Sequence, residues 1–187
     1  AAMINFGAHL GALLPGLLTS VRVQKDELLI GVRPDSLIAV LTFLRDHSAT
    51  RYRSLMDICA VDRPGHDERF CVAYPLLSYS TQSRVQVRVC VSQHASLPSA
   101  TAVYPAADWA ESETWDMMGI FFENHPNLYR LFTDYGFEGH PLRKDFPLSG
   151  FTEVRFDDET QQVVTTPVEL AQDFRYFDFV SPWKTTV

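Results

Sequence analysis

Alternation of apolar and polar side chains is the clearest pattern in the chain. From Ser83 to Ser92, Val85, Val87, Val89 and Val91 alternate with Arg84, Gln86, Arg88 and Cys90, as in a strand with one buried face. Two more strands are predicted before it, Ser54 to Val61 and Arg69 to Leu77, separated by the polar stretch Asp62 to Glu68 with its Pro64-Gly65 turn. Nearer the start, Val21 and Val23, then Leu28, Ile30 and Val32, alternate about Lys25-Asp26, which predicts a hairpin. Helical spacing takes over elsewhere. Phe6, Leu10, Leu13, Leu14 and Leu17 fit a helix between Asn5 and Leu18, cut short by Pro15-Gly16. Pro34 opens a second helix with Leu37, Val40, Leu41 and Leu44 on one face, ahead of the charged Arg45, Asp46 and His47. A helical pattern returns from Pro98, breaks at Tyr104-Pro105 and resumes from Asp108 to Met118, with Gly119 as its stop.

Strands that follow one another with short connections predict an α+β fold, a mostly antiparallel sheet with helices packed on it, over residues 1–120. The pattern then changes. From Leu128 no long helical period can be followed, yet rings are dense: Tyr129, Phe132, Tyr135, Phe137, Phe146, Phe151, Phe156, Phe174, Tyr176, Phe177, Phe179 and Trp183. Pro141, Pro147, Pro167 and Pro182 punctuate the same stretch. Disordered segments are poor in aromatics, and so irregular a segment cannot build a second core for them. An extended arm over residues 121–187 that wraps a partner protein satisfies both facts, because interface cores are enriched in Tyr, Trp and Phe. Within the arm, Glu153 to Phe156 is predicted to pair with Val163 to Thr166 across Asp157-Asp158. On the preceding helix, Trp109 and Trp115 point to different sides, one expected on the sheet and the other on the arm or a partner. Glu111, Glu113 and Asp116 are expected to form a solvated or ion-paired surface. Gly136 and Gly139 suit positive φ or close backbone approach.

Composition narrows the function classes. Sixteen Lys and Arg against 23 Asp and Glu give a net charge of −7, the wrong sign for a nucleic-acid surface. No apolar run approaches the roughly 20 residues of a bilayer-spanning helix, so membrane association is expected only through partner subunits. Cys59, Cys71 and Cys90 are an odd count, lie far apart and match no zinc or iron–sulfur spacing; Cys71 and Cys90, in strand-like runs, are expected as reduced, buried thiols. The chain opens on Ala1-Ala2 without an initiator Met, as an imported and processed protein or a truncated one would.

Three blocks carry a more specific message. One runs Trp115-Asp116-Met117-Met118-Gly119-Ile120-Phe121-Phe122, followed by His125-Pro126 and Arg130. The second is Thr133-Asp134-Tyr135-Gly136-Phe137-Glu138-Gly139-His140-Pro141-Leu142-Arg143-Lys144-Asp145-Phe146-Pro147. The third is Phe174-Arg175-Tyr176-Phe177-Asp178-Phe179 with Ser181-Pro182-Trp183. Together they resemble the 30-kDa subunit family of respiratory complex I, in its mitochondrial form, the NADH dehydrogenase subunit 9 type. Where the family has Glu-Arg-Glu before the Trp-Asp pair, this chain has Glu111-Ser112-Glu113, which puts one ion pair in doubt.

The resemblance implies a structural subunit of the peripheral arm of NADH:ubiquinone oxidoreductase, a proton pump, at the matrix side of the mitochondrial inner membrane. It implies a partner, the large quinone-module subunit (49-kDa type), besides the other complex I subunits. It also implies that this chain binds no cofactor and no metal and supplies no catalytic residue. The FMN and iron–sulfur clusters, with NADH and ubiquinone, belong to the rest of the complex. The residues expected at the partner interface are Trp115, Asp116, His125, Arg130, Tyr135, Phe137, His140, Arg143, Lys144, Asp145, Phe146, Phe174, Arg175, Tyr176, Phe177 and Trp183.

Sharper chemistry can be drawn on the same residues. His125 and His140 with Asp116, Asp134 and Asp145 could form a metal or acid–base site in a stand-alone small enzyme. No i,i+4 or HxH ligand spacing supports one, and each histidine precedes a proline, where polar side chains tie down extended turns. Arg143-Lys144-Asp145 could grip a phosphate or a quinone headgroup; an interfacial cluster, with Arg143 paired to a partner's carboxylate, is the preferred reading. The equivalent subunit of a plastid or hydrogenase complex is a nearer rival, and Asp134 to Phe137 and the Phe174 to Trp183 ending argue against it.

Overall fold

Val85, Val87, Val89 and Val91 are all buried in the computed structural model, which describes residues 2–25 and 27–177. The chain divides into two compact units, Ala1–Phe146 and Pro147–Val187. In chain order the first contains α1 (Ala2–Leu13), β1 (Leu18–Gln24), β2 (Glu27–Val32), α2 (Leu37–Asp46), β3 (Ser54–Leu55), β4 (Cys59–Asp62), β5 (Phe70–Ser78), β6 (Ser83–Val91), β7 (Leu97–Pro98), α3 (Ala107–Met118) and β8 (Phe122–Glu123). The second contains β9 (Thr152–Asp157) and β10 (Gln162–Pro167).

The fold is α+β, with a mostly antiparallel main sheet. Its strand order is β1-β2-β6-β5-β3, and β4 also pairs with β5. The one parallel pair in this sheet is β2 with β6. After β2 the chain crosses through α2 and lays down β3 to β5 before β6 enters between β2 and β5. The strand expected over Ser54 to Val61 is broken into β3 and β4. Pro75, in the facing stretch of β5, has no N–H to give, and only its carbonyl is used, accepting Met56 N at 2.9 Å.

The inward face is read correctly by spacing. Leu37, Val40, Leu41 and Leu44 of α2 are all buried, in one cluster with Leu28, Ile30 and Val32 of β2 and the four valines of β6. Each such side chain contributes about 1.5–3 kcal/mol by leaving water. Tyr104 closes the cluster's edge, its hydroxyl donating to the Tyr52 carbonyl at 2.6 Å.

The first helix stops at Leu13, short of Pro15 and Gly16 as expected, but starts at Ala2, ahead of the predicted Asn5. One element differs more. No helix forms from Pro98 to Tyr104; Leu97 and Pro98 pair in parallel with Phe122 and Glu123 instead, tying the two ends of the α3 segment together.

In the second unit β9 and β10 form an antiparallel ribbon, with Glu153 opposite Thr166 and Phe156 opposite Val163, the predicted pairing. Val154, Phe156 and Val163 share one face of it and are all exposed. None of the described side chains from 147 to 177 is buried.

Candidate functional site

The domain boundary expected near Ile120 falls inside the first unit, which continues to Phe146. The reason lies at the C-terminal end of α3, where two of the three motif blocks converge. Asp116 is the hub. Its side chain is fully buried, and Oδ2 accepts the backbone N–H groups of Leu131 (3.1 Å), Phe132 (2.7 Å) and Thr133 (3.0 Å). Oδ1 accepts the Thr133 hydroxyl at 2.7 Å and Arg130 Nη1 at 3.2 Å. Burial alone would raise the Asp116 carboxyl, but the Thr133 hydroxyl and the three backbone donors outweigh it and hold the group below its ordinary value. Arg130 completes its role by donating to the Gly139 carbonyl at 2.9 Å.

Gly119 ends α3 in the left-handed region, φ 75°. A Cβ there would collide with Arg143 and His140, so the absent side chain is what lets the later segment close over the helix end. Arg143 Nε donates to the Met118 carbonyl at 2.6 Å and Leu142 N to the Met117 carbonyl at 3.1 Å. A cation on the last carbonyls of a helix also complements its dipole. His140 donates through Nδ1 to the Asp116 carbonyl at 3.0 Å, and its ring lies 5.4 Å from that of Trp115. Burial lowers the His140 pKa and favours the neutral ring.

A second anchor holds the end of the motif to the sheet. Arg69 and Asp62, at the two ends of the β4–β5 turn, form a two-pronged pair at 2.7 and 2.8 Å. Asp62 Oδ2 also accepts Lys144 N at 2.8 Å, and Arg69 reaches Asp145 at 3.1 Å. The Arg69 hydrogen bond holds both carboxyls below their usual range. The guanidinium groups of Arg69 and Arg143 lie 5.2 and 5.3 Å from the centre of the Phe70 ring. Phe146 packs on Phe137, ring centres 6.0 Å apart, and beside Gly139.

A third cluster sits near the start of α3. Glu111 is buried, accepting the Ser99 hydroxyl at 2.6 Å and Ala100 N at 2.7 Å. His125 Nε2 lies 3.2 Å from the Asp108 carbonyl, 3.2 Å from its carboxylate and 3.7 Å from Glu111. Burial raises the Glu111 pKa. The hydroxyls of Tyr74 and Ser112 are buried without a hydrogen-bond partner among the described residues.

Several expectations are corrected by this geometry. Glu111 and Asp116 face the interior, not solvent. Trp115 does meet the stretch expected as the arm, half-buried against Phe121 and His140, but Trp109, the one then expected on the sheet, is 64% exposed. The Arg143 guanidinium is engaged by helix carbonyls of its own chain, where a partner's carboxylate was expected. Asp116, His125, Arg130 and His140 are joined by intrachain bonds, and Lys144 by its backbone, so what they would show a partner is limited. Tyr135 is the opposite case, fully exposed, with Phe121 and Phe132 also more than half exposed. In the second unit Phe174, Tyr176 and Phe177 are exposed; Phe174 meets Tyr176 edge-on at 5.0 Å, and Arg175 lies over Phe177 at 5.8 Å. Trp183, with Asp178, Phe179 and Pro182, lies outside the described residues. Asp62 and Arg69 were missed; opposite charges bracketing the Pro64-Gly65 turn were the available signal.

Cys71 and Cys90, far apart in sequence, are directly opposite each other on β5 and β6. Burial and the neighbouring Cys90 push the Cys71 thiol up to about 11, so it is protonated at neutral pH. Among the described residues, no three His, Cys, Asp or Glu side chains are grouped as a metal site would need.

Residues 30–152 match the family described as "Respiratory-chain NADH dehydrogenase, 30 Kd subunit". The C-type subunit of the NADH-quinone oxidoreductase of Rhizobium etli is 49% identical over 185 residues, covering 99% of this chain and 92% of that protein. Its counterpart from Rhodospirillum rubrum is 51% identical over 180 residues, covering 96% and 84%. Among solved structures, a chain of the membrane-bound sulfane sulfur reductase, an archaeal respiratory membrane complex, superposes with a TM-score of 0.69 over 79% of this chain and 87% of its own. At 20% identity it attests the fold alone.

Proposed function

We infer the role of this chain from one premise: it belongs to the family of the 30 Kd subunit of the respiratory-chain NADH dehydrogenase. It is therefore a subunit of an NADH-quinone oxidoreductase, complex I. Within that complex we assign it a scaffolding role in the peripheral arm. It binds and positions the large quinone-module subunit (49-kDa type), and so helps fix the distances over which electrons travel to quinone. It takes no catalytic step and binds no cofactor. FMN, the iron–sulfur clusters, NADH and ubiquinone are held by other subunits, and proton translocation is a property of the whole.

One observation carries this reading. The ordered segment from 147 to 177 has no buried side chain, yet exposes Leu148, Phe151, Phe156, Val163, Tyr176 and Phe177, each by more than half. A two-stranded ribbon is at best marginally stable alone in water, and an exposed apolar face such as that of Val154, Phe156 and Val163 marks a protein contact. The first unit, by contrast, has a complete core and ties down its own motif loops. The docking element is thus the second unit; within the first unit, the exposed rings Phe121, Phe132 and Tyr135 offer contacts of their own.

Among the described residues no helix is long and apolar enough to cross a membrane, so we assign attachment to the membrane through the other subunits. The motif pattern pointed to the mitochondrial inner membrane; the bacterial relatives favour a bacterial respiratory membrane instead.

Truncation tests the role. A cut after Phe122, natural for a boundary near Ile120, would remove every donor that satisfies the Asp116 carboxylate; the cut belongs after Phe146. A tagged chain ending there is expected to fold, with unchanged near-ultraviolet circular dichroism, but not to co-purify with flavin- and cluster-bearing subunits. Co-purification at the yield of the full chain would contradict the assignment.

A further inference from the structure

The face of the main sheet turned away from the core holds a cleft of about 420 Å³ that the role above does not use. It follows from strand register. Alternation that sends Val87 and Val89 inward sends Arg88 and Cys90 outward, and Arg88 stands beside Gly31 of β2, which has no side chain to fill the floor. Arg22 of β1 lines one side of the same cleft, and Arg33 and Arg63 line it from loops, with Cys71 on the floor beside Cys90.

The charge here is one-sided. Four arginines face a single acidic side chain, Glu68, in a chain whose net charge is −7. None of the four makes a salt bridge among the described residues, although Arg45, Arg69 and Arg130 elsewhere all do. What they do hold is weak or neutral. Arg33 donates to the Gly16 carbonyl, Arg88 to the Gln86 side chain and Arg63 to the Cys90 sulfur. Arg63 Nε is buried with no acceptor among the described residues. Guanidinium forks match carboxylates in pairs, and a buried donor left without an acceptor is the exception in folded proteins. Leu29 and Gly31 lie between the charges, with the Thr19 and Ser20 hydroxyls beside Gly31, a mixed floor open to an extended backbone. Among the described residues β1 is also an edge strand of the sheet, with no strand paired beyond it on the side of Arg22.

We propose that this cleft receives an acidic, extended polypeptide segment from another subunit of the complex, its carboxylates paired with Arg22, Arg63 and Arg88. The proposal rests on the chain being a subunit of a larger assembly, and the unmodified chain's co-purification with partner subunits tests that premise separately.

The test uses the assembled complex. Arg88→Lys keeps the charge and introduces an amine that a zero-length carbodiimide can join to a touching carboxylate. The expected product, located by mass spectrometry, is a cross-link from the new lysine to an Asp or Glu of a different subunit. In parallel, Arg22→Glu with Arg88→Glu, both at exposed positions, should lower the yield of assembled complex about tenfold and more steeply at low salt, with the chain's own thermal unfolding unchanged. A cross-link only to Glu68, or none, together with normal assembly of the double variant, would overturn the proposal. So would salt-sensitive binding of the chain to vesicles of anionic phospholipid with no intersubunit cross-link, which would make the cleft a membrane contact.

Discussion

Replacing Asp116 by alanine removes one carboxylate and strands five donors: three consecutive backbone N–H groups, a threonine hydroxyl and a guanidinium. Each hydrogen bond of this kind contributes about 1 kcal/mol net, and more where a charge is involved. The donors at 130–133 are only partly buried, so water recovers some of the loss, and the expected cost is about 3–5 kcal/mol. For a unit of this size that corresponds to a fall in Tm of roughly 10 °C. Asp116→Asn keeps the shape but turns an amide nitrogen toward donors, so about half of that loss is expected. Urea unfolding of the full chain gives the free energy, and hydrogen exchange gives the place: the amides of Leu131, Phe132 and Thr133 should lose protection before those of β6. A loss under about 1 kcal/mol, with those three amides still protected, would refute the view that Asp116 organises the 130–146 segment.

The other clusters make sharper predictions of sign. Ser112 is buried with its hydroxyl unpartnered, so Ser112→Ala should be neutral or stabilise by about 0.5–1 kcal/mol, read as an unchanged or higher urea midpoint. The carboxyls of Asp62 and Asp116 are held low by their partners, so as pH falls the unfolded chain takes up protons first. Their contribution is full above the ordinary carboxylate pKa of about 4 and drains as pH falls through their lower folded values. The lowered His140 acts in the same direction, starting below its ordinary value of 6.5. A thermal-shift profile should therefore decline from pH 7 toward pH 4 and steepen below. Glu111 opposes this, since its raised pKa means that ionisation works against the folded state. Glu111→Gln should then make the acid decline steeper.

Periodicity made the core legible, because every inward residue of β6 and α2 obeys the period of its element. The 152–167 ribbon was legible for a similar reason, with two β-rich runs flanking a short acidic turn. What spacing could not reveal were contacts fixed by long-range register. The β2–β6 parallel pair, the Cys71–Cys90 juxtaposition and the Asp62–Arg69 anchor all depend on which strands become neighbours. Position in a motif also did not separate surface from interior. Asp116 and His125 sit among aromatics that suit an interface, but their polar side chains are turned to backbone groups of their own chain, whereas Tyr135 is left in the open. The domain boundary moved from Ile120 to Phe146 on the same account, since a segment without regular structure can still belong to a core when side chains supply its hydrogen bonds.

The central claim is that the second unit's exposed apolar side chains are the surface by which this subunit is held in complex I. Hydrogen exchange over 147–177, measured on the isolated full chain and again on the purified complex, tests it most directly. The account predicts fast exchange across the ribbon and the Phe174–Phe177 stretch in the isolated chain, and strong protection of both in the complex. Equal exchange in the two states, with protection gained only within 1–146, would contradict it.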